Sequence, residues 1–245
     1  MTPRLIRLAL ILFFQILHQG GAMTPGPEVI ISCPECKALS RFSTMASGNT
    51  FGSTLWSDGY RYFPMLEPSV PVIQCHNCSK IFLKWKAEEV GQYSRFSRGN
   101  GVKEETPAEW KRAPRIKAPK EDDFYKAIDE GLSENKQEEK NIRLTAWWQS
   151  NDRCRNGFSL VENKNDFPVP EEREKNMEKL LGLLDRTNPN DQIMAAEILR
   201  QLGRFDEALE VLKKLDRDDY GEVLFQLEDF CDDNETSVQK LTFSR

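Results

Sequence analysis

Apolar and polar positions alternate in short runs through the first part of the chain, which indicates strands rather than helices. Residues 29–31 and 72–73 are apolar. After the second run, Ile81, Leu83 and Trp85 alternate with lysines, as in a strand with one buried face. Between the two runs, Asp58-Gly59 separates the segments TLW and YRYF, which is a strong β-hairpin signal. The pattern therefore predicts a small antiparallel sheet of three or four strands.

Helical periodicity dominates the second half of the chain. Phe124, Ile128 and Leu132 recur at every fourth position behind three acidic residues, which the helix dipole favours in a first turn. A second helix is predicted over residues 135–155. Beyond Pro170, a first turn rich in acids opens a largely helical region. The order of elements predicts an α+β protein with an all-α C-terminal part.

Two Cys-x-x-Cys motifs lie in similar sequence contexts, each behind an apolar run and one polar residue. Cys33 and Cys36 form the first motif, and Cys75 and Cys78 form the second. This spacing lets both sulfurs of one turn reach the same ion, and two such turns supply the four thiolates of a closed tetrahedral zinc site. We therefore predict a structural zinc ion bound by these four cysteines. His76, inside the second motif, is interpreted as a turn residue because the cysteines complete the shell.

The four cysteines allow two interpretations besides a zinc site. A thioredoxin-like motif opens a helix that lowers the thiol pKa, whereas a strand pattern follows here, and a disulfide framework is a further alternative. His18 and His76 are the two histidines of the chain, which leaves no Ser-His-Asp triad, Cys-His dyad or HExxH motif. The sequence predicts that the protein is not an enzyme, with a thiol-disulfide enzyme as the alternative.

Two groups of residues could bind a partner. The first is aromatic and could stack bases or bind a peptide, or cover a small core beside the metal; it comprises Phe51, Trp56, Tyr60, Tyr62 and Phe63. The second is basic and could contact phosphates or an acidic partner, or lie in a solvated strap packed down by Trp110 and Ile116. It comprises Lys111, Arg112, Arg115, Lys117 and Lys120. Five spaced charges are few for nucleic-acid affinity.

The charge is unevenly distributed along the chain. The net charge of −5 divides into about −8 for residues 171–245 and about +3 for the rest, and neither value is typical of a strongly basic nucleic-acid binder. At the end of the second predicted helix, a polar group forms either a small site or, in the favoured interpretation, caps and interdomain hydrogen bonds. It comprises Asn151, Asp152, Arg153 and Arg155. Of the adjacent Trp147 and Trp148, one is expected to pack inward and the other to meet the ribbon or a partner.

The N-terminal 22 residues allow two interpretations. Arg4 and Arg7 precede an apolar run, Leu8–Leu17, and small residues follow, as in a secretory signal that is too short for a membrane span. Alternatively, translation starts at Met23. Four free thiolates fit a reducing compartment better. The favoured prediction is a cytoplasmic protein, and the alternative is a secreted or periplasmic one.

A resemblance to the tetratricopeptide repeat appears near the end of the chain. Ala196, Gly203, Phe205 and Ala208 have the spacing of that helical hairpin, in which small residues let two helices approach and glycine ends the first. The segments SGNTFGS, LWSDG and AWWQSND also resemble those of a bacterial family of ribbon-plus-helical-repeat proteins without assigned activity. That resemblance implies no catalytic residues.

These patterns together predict a small antiparallel zinc-ribbon sheet followed by a helical part with a tetratricopeptide-like hairpin. The predicted segments are a possible leader, a zinc ribbon, a Pro-rich basic linker, a helical connector and a tetratricopeptide-like region, at residues 1–22, 23–86, 87–120, 121–168 and 169–245. The predicted function is a non-enzymatic adaptor that binds a protein partner through its helical region. The alternative is a nucleic-acid-binding module that uses the ribbon aromatics and the basic linker.

Overall fold

The computed structural model describes residues 24–66, 69–94, 105–155 and 170–243. In these ranges, small antiparallel sheets come first and α-helices follow, which confirms the predicted α+β class. The possible leader, and parts of the predicted linker and connector at 95–104 and 156–169, lie outside the described residues. Among the helices of the described ranges, none combines the length and apolar character needed to cross a membrane.

Seven strands in the described ranges form three separate small sheets. The strands are β1 Thr24–Ser32, β2 Leu39–Ser47, β3 Thr54–Leu55, β4 Arg61–Tyr62, β5 Val72–Gln74, β6 Ile81–Leu83 and β7 Glu88–Tyr93. The largest sheet has the order β2-β1-β7, whereas β3 pairs with β4 and β5 pairs with β6, all antiparallel. The sheet is therefore more divided than the single sheet of three or four strands that the sequence predicted.

Strand β1 is central in its sheet, which explains its continuous apolar run. Val29, Ile30 and Ile31 are all buried, because the strand has a partner on both edges and side chains packed on both faces. The hairpin predicted at Asp58-Gly59 joins β3 and β4, with Gly59 at a φ of 78°. Glycine reaches this left-handed conformation without the steric penalty of other residues.

Part of the stretch interpreted as a linker is a strand. Residues 88–93 form β7, the polar edge strand beside β1. Its polar composition hid it in the sequence, since an edge strand with an exposed face needs few apolar residues. Gly91 allows the Trp110 ring to lie against the strand, because a Cβ there would come within 2.2 Å of the ring atom Cη2.

The remaining basic stretch lies across the sheets as a strap. It contains the short helix α1, Ala108–Arg112. Beyond this helix, the Arg41 amide donates to the Pro114 carbonyl and the Ile116 amide donates to the Arg41 carbonyl, at 2.8 and 2.9 Å. Ile116 also packs against the apolar cluster around the cysteine motifs. The backbone of this strap is thus fixed to the ribbon, while its five basic side chains are exposed.

Six longer helices build the second half of the molecule. They are α2 Glu121–Asp129, α3 Lys136–Asn151, α4 Pro170–Leu183, α5 Pro189–Gln201, α6 Phe205–Leu212 and α7 Arg217–Asp232. Asn135 and Asn188 cap α3 and α5 by accepting hydrogen bonds from backbone amides of the first turn. Gly203, at a φ of 75°, closes the turn between α5 and α6.

Two apolar clusters connect these helices to each other and to the β5–β6 hairpin. The larger one contains Trp147 and residues of α4 to α7. In the second, Val72 and Leu83 of the β5–β6 hairpin pack against Phe124 and Ile142 of α2 and α3. Unfolding of that hairpin would therefore expose apolar surface of the helices as well.

The two adjacent tryptophans divide as the sequence predicted. Trp147 is fully buried and donates to Gln201 Oε1 at 3.0 Å. Trp148 meets the β3–β4 hairpin, where its ring contacts Tyr60 edge-on at 5.8 Å and its Nε1 donates to the Asp58 carbonyl at 2.9 Å. The first ring anchors the helical core, and the second joins that core to the hairpin.

The C-terminal tail forms a third strand-like partner of the β3–β4 hairpin. Lys240 bridges antiparallel to Trp56, and the Leu241 amide donates to the Leu55 carbonyl at 2.9 Å. Val238 and Leu241 are buried. The last residues of the described chain therefore pack against an early hairpin as part of the fold.

Candidate metal centre

The four cysteines of the two motifs meet at one point. Cys33 Sγ lies 3.8 Å from Cys78 Sγ, Cys36 Sγ lies 3.6 Å from Cys75 Sγ, and all four sulfurs lie within 4.8 Å of one another. A tetrahedral ion with metal–sulfur bonds of about 2.3 Å has sulfur–sulfur separations of about 3.8 Å. A disulfide needs about 2.05 Å, and all six cysteines are free. The donor set thus fits a single metal ion.

The two motifs have equivalent backbone geometry. In each, the amide of the residue after the second cysteine donates to the carbonyl of the first cysteine, from Lys37 to Cys33 and from Ser79 to Cys75, both at 3.0 Å. Lys37 and Ser79 both have a φ of 60°. For residues other than glycine this left-handed conformation costs about 1 to 2 kcal/mol. Both turns accept that strain at the same position, which aims each pair of sulfurs at a common centre.

The centre is buried on one side and open on the other. Cys33 and Cys75 are each 3% exposed and pack with Val29, Ile73 and Phe82, whereas Cys78 lies at the surface. In the turn of the second motif, the backbone amide of Asn77 also donates to Cys75 Sγ, at 3.4 Å. The first cysteine of each motif therefore anchors the core, and the second lies nearer to solvent.

The pKa values of the thiols are shifted in opposite directions. A side-chain hydrogen bond from Asn77 and a backbone hydrogen bond from Ala38 lower the pKa of Cys36 to about 6. Burial raises the pKa of Cys33. The pKa of Cys78 is raised to about 12, because burial and the neighbouring thiols outweigh a backbone hydrogen bond from Lys80. One thiolate forms readily, and a bound cation would be needed to hold four together.

The surroundings of the motifs differ from those of a reactive Cys-x-x-Cys helix. Strands β2 and β6 follow the two motifs, so a helix N-terminus lowers the pKa of neither pair. His76 is exposed, and its Nδ1 lies 3.5 Å from Ser40 Oγ. The four sulfurs meet without a ligand atom from this histidine.

A second cluster of functional side chains lies buried between the β3–β4 hairpin and the helices. Asp58 Oδ2 accepts from Arg155 Nη2 and, at 2.8 Å, from Asn151 Nδ2. Arg155 Nη1 donates to Asp152 Oδ1 at 2.8 Å, and the guanidinium lies 4.4 Å from the centre of the Tyr60 ring. These contacts agree with interdomain hydrogen bonding, the favoured interpretation of this polar group. The sequence pattern predicts only a turn at Asp58, whereas its carboxylate is a buried anion in the structure.

The same buried layer continues into α5 and the tail. Glu197 is fully buried and accepts from Ser57 Oγ, Arg200 Nη2 and Gln201 Nε2, each at 2.7 Å. Arg200 also donates to the carbonyl of Ser237, at 2.9 Å. The signal that could have revealed this pair is a Glu and an Arg three residues apart within the apolar stretch AAEILRQLG. The buried layer ties hairpin, helix and tail together.

Glu121 has a buried carboxyl group whose titration makes the stability of the protein depend on pH. Burial raises the pKa of its carboxyl to about 7, although the Tyr125 hydroxyl donates to it at 2.9 Å and Arg153 and Arg173 lie nearby. A pKa raised above the unfolded value means that the folded state binds the extra proton. Folding is therefore favoured at low pH, and stability falls by about 2 kcal/mol between pH 5 and pH 7 from this group.

We expect Glu121→Gln to remove that fall, because glutamine is neutral throughout. Urea midpoints at about pH 5, 6, 7 and 8 measure the effect across this titration range. Glu174→Gln, at an exposed position, is the matched control and should leave the slope unchanged. A Glu121→Gln profile parallel to that of the unmodified chain would contradict the raised pKa.

The aromatic group does not form a shared open face. Trp56 and Tyr60 are 7% and 9% exposed and pack against Trp148 and Val238, away from the cysteines. Phe51, by contrast, is 81% exposed. Trp56 and Tyr60 therefore cover the contact with the helices instead of sharing an open face with Phe51.

Comparison with known proteins yields no relative. No protein-family model, no curated protein and no solved structure matches the chain. The resemblances to a tetratricopeptide repeat and to bacterial ribbon-plus-repeat proteins stay predictions. Function must be argued from the chain's own geometry.

Proposed function

We propose that this chain is a zinc-stabilised adaptor that binds another protein and has no catalytic activity of its own. The observation that carries the proposal is the convergence of Cys33, Cys36, Cys75 and Cys78, with the separations of a tetrahedral thiolate shell. Such a shell suits zinc or an iron–sulfur centre. We assign zinc because paired Cys-x-x-Cys turns around one ion are the donor pattern of zinc ribbons.

The role assigned to zinc is structural. An ion with four protein thiolates keeps no open position for water or substrate. When bound, it would cross-link the turn after β1 to the turn after β5. Strands β5 and β6 have three residues each, too few to be stable alone, so zinc binding would contribute directly to their folding.

The buried polar cluster between the β3–β4 hairpin and the helices supports a role without catalysis. Asp58, Asn151, Asp152 and Arg155 are buried and bind one another. They act as a contact between hairpin and helices, with their charges compensated internally. A catalytic group needs instead to face a substrate within hydrogen-bond reach.

We also propose that α5 and α6 form a tetratricopeptide-like hairpin. Its support is the pair of buried small residues, Ala196 and Ala208, and the turn at Gly203. Leu199 of α5 and Leu212 of α6 are buried in the helical core. A partner must therefore contact other, exposed residues, and changes at Leu212 would test folding rather than binding.

Nucleic-acid binding is the less supported alternative. The exposed basic side chains of the strap favour it, but burial of Trp56 and Tyr60 removes two of the five rings that would stack on bases. The acidic helical half would repel phosphates. A protein partner fits the charge distribution better.

We propose the cytoplasm as the compartment, with a secreted or periplasmic location as the alternative. The support is chemical: the described cysteines are all free, and thiolates persist in reducing surroundings. The start residue of the native protein tests this. A formyl group on Met23, or a chain that begins at Thr24, supports the proposal, whereas an unformylated Met23 left by cleavage after Ala22 contradicts it.

Co-purification of the metal-loaded, affinity-tagged chain after nuclease treatment tests the adaptor function. We expect a defined protein partner to remain bound when Lys111, Arg112 and Arg115 are changed to glutamine, because the strap is not the docking surface. Salt-sensitive binding to synthetic RNA or DNA that this triple variant abolishes would establish the nucleic-acid alternative instead. Reduction of insulin that depends on Cys33 would establish a thiol-disulfide enzyme.

A further inference from the structure

Two exposed phenylalanines lie near the C-terminal end. The residue that follows the first is hydrogen-bonded to the residue that precedes the second. Phe225 on α7 is 61% exposed, and Phe243 in the tail is 45% exposed. The residues beside them, Gln226 and Thr242, form a double hydrogen bond: the Gln226 side chain donates to the Thr242 carbonyl and accepts from the Thr242 amide, both at 2.8 Å. This clamp fixes the tail against the helix and presents two apolar rings to solvent.

Phe225 lies on the outer side of α7, opposite the side that the core uses. Leu224, Leu227 and Cys231 are buried in the helical core. The outer stripe has the repeating spacing of four and three residues that places side chains on one helix face. It comprises Asp218, Glu222, Phe225, Asp229 and Asp232, all exposed. An aromatic anchor thus lies at the middle of an otherwise acidic helix face.

The acidic positions beyond the first turn of α7 are not explained by helix stability. Like charges four residues apart on a helix repel each other, as at Asp218 and Glu222. The last turn carries Asp229 and Asp232 and has no basic residue, although the helix dipole favours cations there. Within the described chain, none of these carboxylates takes part in an ion pair with a lysine or arginine. A cationic partner would relieve both effects.

We propose that this outer face of α7, with Phe243, is the docking surface for a cationic segment of a partner protein. The segment would place an apolar side chain against the phenylalanines and lysines or arginines against the flanking carboxylates. This inference rests on the proposed adaptor function and assigns its site and the chemistry of its partner. Nucleic acid has the wrong sign of charge for this face.

A second copy of the chain fits the face less well than a separate partner. The strap is one cluster of exposed basic residues that a second copy could offer, but its apolar residue Ile116 packs against the cluster around the cysteine motifs. Its backbone is also bonded to Arg41. The strap therefore offers charge without an apolar anchor.

Binding of designed peptides tests the surface. The probes are an amphipathic peptide with a leucine stripe flanked by lysines, a charge-matched peptide with serines for the leucines, and a charge-reversed peptide with glutamates. Fluorescence anisotropy should detect binding of the first peptide but not of the other two. This binding should weaken at high salt. Phe225→Ser should weaken it about tenfold or more, whereas Phe51→Ser, at a more exposed ring outside the face, should not.

A pair of charge reversals separates binding from folding. Asp229→Lys with Asp232→Lys should raise the melting temperature by about 1 to 4 °C, because the helix dipole is then complemented, while peptide binding is lost. The docking surface would be overturned if this variant and Phe225→Ser both bound the peptide as tightly as the unmodified chain. Self-association that the strap variant abolishes would also overturn it. If the partner still co-purifies with Phe225→Ser, the adaptor function stands and the assigned face falls. If no protein co-purifies with the unmodified chain, the adaptor function itself falls.

Discussion

Cys33→Ser is expected to abolish stoichiometric zinc binding and to lower the melting temperature by more than about 10 °C. Structural zinc sites of this type contribute about 10 kcal/mol or more of apparent binding free energy at neutral pH, and a serine hydroxyl is a poor replacement for a thiolate. Cys33 is also buried in the ribbon core. Elemental analysis of reduced protein measures the zinc, and calorimetry measures the melting temperature.

The loss is expected to spread from the ribbon to the first helices. Val72 and Leu83 lie on the two strands that flank the second metal-binding turn, and they pack against Phe124 and Ile142. Release of the turn should therefore increase hydrogen exchange in β5, β6, α2 and α3, while α5 and α6 keep their protection. A chelator at equilibrium should reproduce this pattern in the unmodified chain.

Cys154→Ser is the matched control, since this cysteine is exposed and lies outside the cluster. It should keep one zinc per chain and an unchanged melting temperature. Full zinc occupancy in Cys33→Ser, or identical unfolding of zinc-loaded and zinc-free protein, would contradict a structural metal. An iron–sulfur absorption spectrum would keep the ligand set and change the assigned cofactor.

Local sequence spacing was sufficient to identify the four cysteines, because each motif is a single turn with its own hydrogen-bond pattern. The same holds for the Asp58-Gly59 hairpin. Such features depend on residues within a few positions of each other. Tertiary packing then adds to what the local sequence already favours.

Buried hydrogen bonds between residues far apart in the chain could not be found this way. Asp58 and Asn151 are 93 positions apart, and Ser57 and Glu197 are 140 positions apart. Each of these residues has an ordinary local explanation as a turn, cap or surface residue, so its burial depends on contacts that spacing does not encode. The sequence pattern did not predict strand β7 for a related reason. Its residues are polar, and only its pairing with β1 makes it a strand.

Arg155→Met is expected to destabilise the protein by about 3 to 5 kcal/mol, because removing one partner leaves a buried charge uncompensated. Asp58 and Asp152 both bind this guanidinium, and both ionic contacts have fully buried side chains. For a chain of this size, the melting temperature should fall by roughly 10 °C. Urea unfolding followed by tryptophan fluorescence measures the effect, since Trp56 and Trp148 lie at the same contact.

Comparison with a double variant shows whether charge imbalance causes the loss. Adding Asp58→Asn to Arg155→Met removes a buried anion together with its partner, so the double variant should be more stable than the sum of the two single changes predicts. Lys175→Met breaks a similar pair with Glu171 whose side chains are 64% and 71% exposed, and should change stability by less than about 0.5 kcal/mol. Strict additivity of the two buried changes would mean that Arg155 stabilises the hairpin through packing on Tyr60 rather than through its charge.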